Sequence, residues 1–227
     1  MLERNIKEIR ERIEKACALC GRSSSEIELV GVTKTVDASY IAESVKLGIT
    51  HIGENRVQEF ISKYDVLKET GVKMSVIGHL QTNKVKYIAD KVHMIQSLDS
   101  VKLAAEINRH CINHKRTMDC LVEVNIGEEE SKSGIDSAKV TEFVHSLSEF
   151  SNIRIKGIMA IPPFCERESE QKKYFEKLYQ IYIDIGAKNI DNISMDILSM
   201  GMSADFETAI KCGSNMVRVG TAIYGKR

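Results

Sequence analysis

The chain has 227 residues, which is enough for one barrel or one large α/β domain and short for two ordinary domains. Its 32 basic and 32 acidic residues cancel and are dispersed along the sequence, so no basic stripe for nucleic acid or for an anionic membrane is present. This balance of charge argues against polyanion binding and leaves small molecules as the expected partners.

The first twenty residues alternate charged and apolar side chains at helical spacing, without an apolar stretch long enough for a signal peptide or a membrane span. We therefore expect a cytoplasmic protein. Six cysteines are scattered through a chain that lacks the marks of secretion, which predicts reduced thiols and no structural disulfide. Cys17 and Cys20 have no second pair of ligands at zinc-site spacing, so no metal site is predicted.

An amphipathic helix is predicted over residues 3–20 and ends at Gly21. Its apolar face comprises Ile6, Ile9, Ile13, Ala16 and Leu19. From Glu28 onward, short β-branched runs alternate with longer helical patterns, which is typical of a parallel sheet. Eight strands are predicted, at residues 29–33, 51–53, 74–78, 92–96, 120–126, 155–161, 196–201 and 216–220. Helical patterns lie between them at residues 38–48, 56–67, 83–90, 100–111, 138–150, 169–186 and 204–213.

Eight βα units favour an α/β fold, a single (β/α)8 TIM-type barrel with an extra N-terminal helix. No Pro/Gly/Ser-rich linker interrupts the sequence. We therefore predict one domain, residues 1–227, with the helix in residues 1–21 and the barrel in residues 28–227. The polar segment 127–134 follows the fifth predicted strand and is expected to form a loop on the face where barrel active sites lie.

Lys34 directly follows the first predicted strand, at the end of a barrel where polar side chains converge. Apolar walls around such a lysine would disfavour its charged form and make the amine nucleophilic, as a Schiff-base lysine requires. The alternative is an ordinary rim lysine whose ammonium extends into water.

The last two predicted units carry small residues at their turns. Ser199, Gly201 and Ser203 follow the seventh strand, and Gly220 with Thr221 follows the eighth. Barrels frequently hold phosphate with these two loops, because backbone N–H groups without bulky side chains point there. The pattern predicts a phosphate subsite. The alternative is that the glycines serve only to make the turns.

Arg218 interrupts an apolar strand, and by alternation its side chain points opposite to those of Val217 and Val219. A guanidinium directed into a barrel needs an acceptor, either a ligand atom or a carboxylate of the protein. Glu54 and Glu123 are the candidate partners for a structural ion pair, which stays open as the alternative.

Further side chains lie at or just beyond predicted strand ends, where they could form a polar rim. They are Asn55, His79, Gln81, Asn83, Asn125 and Met159. For Asn55 and Asn83, a role as helix cap or turn residue is the alternative.

Taken together, six segments closely resemble the pyridoxal 5′-phosphate (PLP) homeostasis proteins, a family related to the N-terminal domain of alanine racemase. In order they are VTK, IGENRVQE, IGHLQTNK, GIMAI, LSMGMSADFETAI and VRVGTAIYG. The resemblance runs from about residue 28 to the C-terminus and includes the loop element Glu130-Ser131-Lys132-x-Gly134. One departure is Met74-Ser75-Val76, where the family usually has Trp-His-Phe, and this puts in doubt any role of those aromatic side chains.

The resemblance implies a barrel like that of alanine racemase, with Lys34 as the lysine that forms a Schiff base with PLP. It also implies that Ser199, Gly220 and Thr221 help to hold the phosphate.

By the same resemblance, Arg218 approaches the pyridine nitrogen, Asn55 and Met159 line the ring, and Met200 packs beside the phosphate loop. An arginine keeps its own proton and does not readily protonate the ring nitrogen, so PLP would be a weaker electron sink than it is beside an aspartate. Aminotransferase chemistry is therefore disfavoured.

The function that the resemblance implies is PLP binding in vitamin B6 homeostasis, with PLP buffered on Lys34 or delivered to PLP-dependent apoenzymes, and without robust turnover. Alanine racemase has a second, β-rich domain that supplies a catalytic tyrosine, whereas this chain ends soon after the eighth predicted strand, so we expect no matching base and a monomer. One alternative is a small PLP-dependent amino-acid racemase, for which Tyr224 is the tyrosine near the late motifs. The other is a barrel enzyme that acts on a phosphorylated sugar without PLP.

Overall fold

The computed structural model describes residues 1–129 and 132–225, in which eight parallel strands form a closed ring surrounded by helices. The strands of this part of the chain are β1 (Glu28–Val32), β2 (His51–Glu54), β3 (Lys73–Val76), β4 (Met94–Leu98), β5 (Met118–Asn125), β6 (Ile135–Asp136), β7 (Ile153–Met159), β8 (Ile193–Ser199) and β9 (Met216–Val219). Around the ring the order is β1-β2-β3-β4-β5-β7-β8-β9, and β9 pairs with β1. The predicted (β/α)8 barrel is confirmed.

Each of the eight predicted strands is found in the ring, with ends that differ by up to three residues. The sequence did not predict β6, which pairs with β5 outside the ring and places Ile135 opposite Val124. Two residues are too few to show a period-2 alternation, so the sequence carried no signal for this strand.

The helices in the described residues are α1 (Leu2–Leu19), α2 (Ala38–Lys46), α3 (Val57–Leu67), α4 (Val101–Asn113), α5 (Val140–Leu147), α6 (Glu168–Gly186), α7 (Phe206–Lys211) and α8 (Thr221–Tyr224). The α-helix predicted at residues 83–90 was wrong: a 3₁₀ helix, Thr82–Tyr87, takes its place. It buries one side chain, Val85, which is too little apolar contact to stabilise a longer α-helix. The short helix α8 was not predicted.

Helix α1 covers one side of the barrel beside the last two βα units. Its predicted face is buried except for Leu19, which is 75% exposed, and Cys17 is buried in its stead. Arg12 forms a bidentate salt bridge with Glu207, with N–O distances of 2.9 and 2.7 Å. Asn5 Nδ2 donates to the carbonyl of Ile223 at 2.9 Å. The helix therefore ties the start of the chain to α7 and α8.

Inside the ring, apolar side chains from five different strands form a compact cluster. Its fully buried members are Val30, Met94, Leu121, Met159 and Met216. A larger apolar cluster fills the layer between the ring and the helices. The barrel is thus a packed core, and chemistry is confined to its ends.

At the amino-terminal end of the ring, the buried imidazole of His51 lies between Glu28 and Ser75. Its Nδ1 is 2.8 Å from Glu28 Oε1 and its Nε2 is 2.6 Å from Ser75 Oγ. Ser75 belongs to the segment that replaces the aromatic run of the family. Here its hydroxyl completes the polar contacts of His51.

We expect Glu28→Gln to reduce the dependence of the free energy of unfolding on pH in the acid range. The hydrogen bond from His51 lowers the pKa of Glu28 from 4.5 to about 2 against the opposing effect of burial. Because the folded-state pKa lies below the unfolded one, this stabilisation is present above pH 4.5 and is lost as the pH falls towards about 2. Allowing for solvent screening, it amounts to on the order of 1–2 kcal/mol.

Urea unfolding at a series of pH values measures this effect. Glu11→Gln, which removes an exposed carboxylate of α1, is the matched control. An unchanged dependence of the unfolding free energy on pH in Glu28→Gln would contradict the prediction.

Candidate functional site

The carboxyl ends of β9, β1 and β2 are neighbours, because β1 pairs with both other strands. Lys34 follows β1, Asn55 follows β2, and Gly220 with Thr221 follows β9. The ring therefore brings these four residues, which are far apart in sequence, to one arc of the same end.

Lys34 is solvent-exposed and does not lie in the buried position that the sequence predicted. The reason is that β1 ends at Val32, two residues earlier, and the chain then turns out of the core. In this turn the N–H of Val36 donates to the carbonyl of Thr33 at 2.9 Å. Thr35 has a φ of 61°, which is a strained, left-handed conformation for a β-branched residue.

Arg218 is directed into the barrel, as alternation predicted, and is 3% exposed. Its guanidinium donates to Ser199 Oγ at 2.6 Å and to the carbonyl of Ala160 at 2.8 Å. No close ion pair of Arg218 occurs in the part of the chain that the structure describes: Glu54 pairs with Lys63, and the charges of Asp205 and Glu123 act on the guanidinium from a longer distance. Burial lowers the pKa of Arg218 to about 10, which still leaves it protonated at neutral pH.

Ser199 is fully buried, and its hydroxyl donates to Gln96 Oε1 at 2.9 Å while accepting from Arg218. The amide of Gln96 in turn lies 3.2 Å from Met216 Sδ. The single proton of Ser199 is therefore given to a protein group and is not offered to an anion. Gln96 was missed by the sequence analysis, although it is a polar residue at the end of an apolar strand, the same kind of signal that identified Arg218.

Ser203 connects the loop that follows β8 with the loop that follows β9. The backbone N–H groups of Gly220 and Ala222 both point to its Oγ, at 3.2 and 3.4 Å. Gly201, with a φ of 95°, makes the turn possible, since a Cβ there would lie 2.6 Å from that of Ala209. Two amides that converge on one oxygen form an arrangement suited to an oxyanion.

The remaining predicted residues differ in how closely they approach this end. Met159 is buried in the interior cluster, and Met200 is buried in the outer core with its N–H bonded to the carbonyl of Met216. Asn55 lines a cavity of about 220 Å³ with His79 and Gln81. Thr221 is exposed, whereas Gly220 is buried.

Glu123 was considered in the sequence analysis only as a partner of Arg218. Its Oε2 is buried and has no hydrogen-bond partner in the described part of the chain. Burial, with a further contribution from the charge of Asp99, raises the pKa of Glu123 to about 7. A carboxyl group that titrates near neutrality thus lies on β5, in register with Met159.

Lys63 was also missed, and it is 7% exposed on the inner face of α3. Its Nζ donates to Glu54 Oε1 at 2.8 Å, so Glu54 pairs with a lysine and not with Arg218. The signal was present in the sequence: Lys63 follows Val57 and Phe60 at helical spacing on a stripe that is otherwise apolar.

The polar loop after β5 is described in part. Glu130 and Ser131 of the family-like loop element lie outside the described residues. Ser133 Oγ is 3.4 Å from His79 Nδ1, which places this loop beside the segment that follows β3. No described helix is long and apolar enough to cross a membrane. All six cysteines are free thiols, and no group of three metal-ligating side chains occurs in residues 1–129 and 132–225.

Known proteins resemble the chain over nearly its whole length. Residues 2–227 match the family model described as alanine racemase, N-terminal domain. The pyridoxal phosphate homeostasis protein of Aquifex aeolicus is 40% identical over 222 residues, covering 98% of this chain and 96% of the relative. The protein of the same name from Escherichia coli is 38% identical over 226 residues, with coverage of 98% and 95%.

Among solved structures, PipY of Synechococcus elongatus with PLP bound superposes with a TM-score of 0.82 at 28% identity. The match covers 94% of this chain and 100% of PipY. With a family model that spans the barrel and relatives at up to 40% identity, the chain belongs to the family of pyridoxal phosphate homeostasis proteins, whose barrel is that of the alanine racemase N-terminal domain.

Proposed function

We propose that this protein binds PLP at the carboxyl end of the barrel, through a covalent bond to Lys34, and serves in vitamin B6 homeostasis. One observation carries the proposal: an amine, a buried guanidinium and a pair of converging N–H groups occur at one end of the ring. These belong to Lys34, Arg218 and the Gly220–Ala222 segment. When bound, PLP supplies an aldehyde that condenses reversibly with an amine and a ring that delocalises electrons.

The residues present fit such a group. Lys34 extends from an exposed turn, so its amine is accessible to an aldehyde that arrives from solvent. The N–H groups of Gly220 and Ala222, now directed at Ser203 Oγ, would hold the phosphate, together with Thr221 at the start of α8. Ser199 would contribute by fixing Arg218, because its hydroxyl proton is given to Gln96.

Arg218 would donate a hydrogen bond to the ring nitrogen, and Asn55, Met159 and Met200 would line or support the cofactor pocket. The guanidinium uses two of its five N–H donors on Ser199 and Ala160 in the contacts described. Because it keeps its proton, it leaves the ring nitrogen unprotonated and the ring a poor electron sink. This disfavours aminotransferase chemistry.

A racemase that uses Tyr224 as a second base has little support from the geometry. The Tyr224 hydroxyl is 3.0 Å from Ser44 Oγ, and Ser44 is buried in α2. The phenol therefore points into the layer between the ring and the helices. We propose a PLP carrier that works as a monomer and delivers PLP to PLP-dependent apoenzymes in the cytoplasm.

Lys34→Ala should abolish the visible absorbance band that wild-type protein develops with PLP, because it removes the amine that forms the Schiff base. Borohydride reduction and peptide mapping should place the pyridoxyl label on Lys34 of the wild type. Lys84→Ala, at the same end of the barrel, is the control and should retain both band and label. A label that scatters over surface lysines equally in all three proteins would overturn the proposal.

Arg218→Lys should weaken PLP binding by about tenfold or more, because a flexible ammonium does not reproduce a guanidinium hydrogen bond, for which charged groups typically gain about 1.5–3 kcal/mol. Arg116→Lys is the matched control. Arg116 also donates to two carbonyl oxygens, those of Ala89 and Val92, but lies away from the candidate site. Equal loss of PLP affinity in the two variants would show that Arg218 acts on stability alone.

PLP-loaded wild-type protein should not accelerate α-proton exchange of single amino-acid enantiomers in deuterated water beyond the rate with free PLP. The reason is that the phenol of Tyr224, the candidate second base, lies 3.0 Å from Ser44 Oγ in the layer between the ring and the helices. Proton NMR measures the exchange. Steady multiple turnovers with any one amino acid would favour the racemase alternative.

A further inference from the structure

The turn that carries Lys34 contacts a polar cluster defined by the buried residues Glu54 and Lys63 and the half-buried Glu59. Lys34 itself is exposed, and Thr35 beside it is held at a φ of 61°. A β-branched residue keeps this conformation only when its surroundings impose it. Contacts on both sides of Lys34 do so.

On the side of Thr33, the cluster contacts both the side chain and the backbone. Thr33 Oγ1 donates to Glu54 Oε1 at 2.6 Å, and Lys63 Nζ donates to the carbonyl of Thr33 at 2.8 Å. The same ammonium donates to Glu54 Oε1 at 2.8 Å. Thr33, Glu54 and Lys63 therefore form a closed triangle of hydrogen bonds in the protein interior.

On the side of Thr35, the backbone N–H donates to Glu59 Oε2 at 2.6 Å. This oxygen lies 3.6 Å from Lys63 Nζ, so one ammonium interacts with both carboxylates. Lys63 thus holds the residue before Lys34 directly, and it lies beside the carboxylate of Glu59 that holds the residue after it.

Burying the charged side chains of this cluster has a large desolvation cost, which a purely structural role does not explain. Lys63 is 7% exposed and Glu54 is fully buried, and burial raises the pKa of the Glu54 carboxyl against the effect of Lys63. Buried ion pairs of this kind often stabilise a fold no better than apolar side chains would. The contacts instead converge on the two peptide units that set the direction of Lys34.

We propose that Lys63, together with Glu54 and Glu59, positions Lys34 for reaction with the aldehyde of its ligand. The inference rests on the proposed function, in which Lys34 forms a Schiff base. Lys63 does not touch the ligand in this scheme; it fixes the backbone from which the reacting amine extends. Loss of Lys63 removes the donor to the Thr33 carbonyl and the ammonium beside Glu59. The amine can then leave its reacting orientation, while the ring and phosphate contacts stay in place.

The test compares two ligands that differ at one group. PLP has an aldehyde, and pyridoxine 5′-phosphate has a hydroxymethyl group there and cannot condense with an amine. In Lys63→Met, the rate of Schiff-base formation and the affinity for PLP should fall by about 10-fold to 100-fold, the range expected for a misplaced reacting group. Affinity for pyridoxine 5′-phosphate should stay close to that of wild type.

Lys68→Met is the matched control, because it removes a lysine just beyond α3 whose exposed partner is Asp65. Both ligands should bind it as they bind wild type. Lys63→Arg should restore part of the rate, since it keeps the positive charge. Equal losses for the two ligands in Lys63→Met, or no loss for either, would overturn the inference.

Glu59→Ala keeps the test decisive if Lys63→Met does not fold, because it leaves the Glu54–Lys63 pair intact and removes only the acceptor of the Thr35 N–H. It should slow Schiff-base formation selectively, and an unchanged rate would contradict the inference. Failure of the proposed function is separate: wild-type protein would then form no Schiff base at Lys34 at all.

Discussion

Parallel closure of the ring is the constraint on which the rest of the molecule depends. The β9–β1 pairing places Val30 opposite Arg218, and the β1–β2 pairing places the same Val30 opposite His51, so three segments distant in sequence meet at one strand. Since every strand of the ring runs the same way, all carboxyl ends lie together and all amino ends lie together. The polar groups divide accordingly. The His51–Glu28 contact stabilises one pole, whereas the groups suited to a phosphorylated aldehyde lie at the other.

A chain of polar contacts crosses the interior and holds the one guanidinium found there among the described residues. It runs from Met216 through Gln96 and Ser199 to Arg218, which also binds the carbonyl of Ala160. These contacts join β4, β8 and β9 with the segment that follows β7. An isolated charge in this position would be very unfavourable, but a guanidinium with two well-placed acceptors is tolerated. The same contacts fix its orientation, so an incoming ring would meet a preorganised donor.

The sequence was sufficient to predict the architecture, because the alternation of β-branched runs with helical patterns located all eight ring strands. The period-2 alternation within the last strand also predicted that Arg218 points into the barrel. It was insufficient wherever a side chain depends on a partner distant in sequence. Gln96 and Ser199 are 103 positions apart, and no local pattern indicates that they meet. Lys34 was expected among apolar walls because the strand was placed one residue too far along, which shows how a small boundary error changes burial. Lys63 was overlooked since a lysine on an apolar helix stripe is usually assigned to solvent. Which of these residues bind PLP stays a prediction that the chemistry must test.

The position of helix α1 has a consequence for how the protein folds. Its contacts with α7 and α8 join residues up to 218 positions apart, among them Asn5 and Ile223. During folding the helix can complete this packing only once α7 and α8 have formed. Part of its apolar stripe, from Leu2 to Cys17, stays exposed until then. Contacts between residues so distant in sequence slow folding and prolong the exposure of apolar surface. We therefore expect the last βα unit to complete the packing of α1 against the barrel.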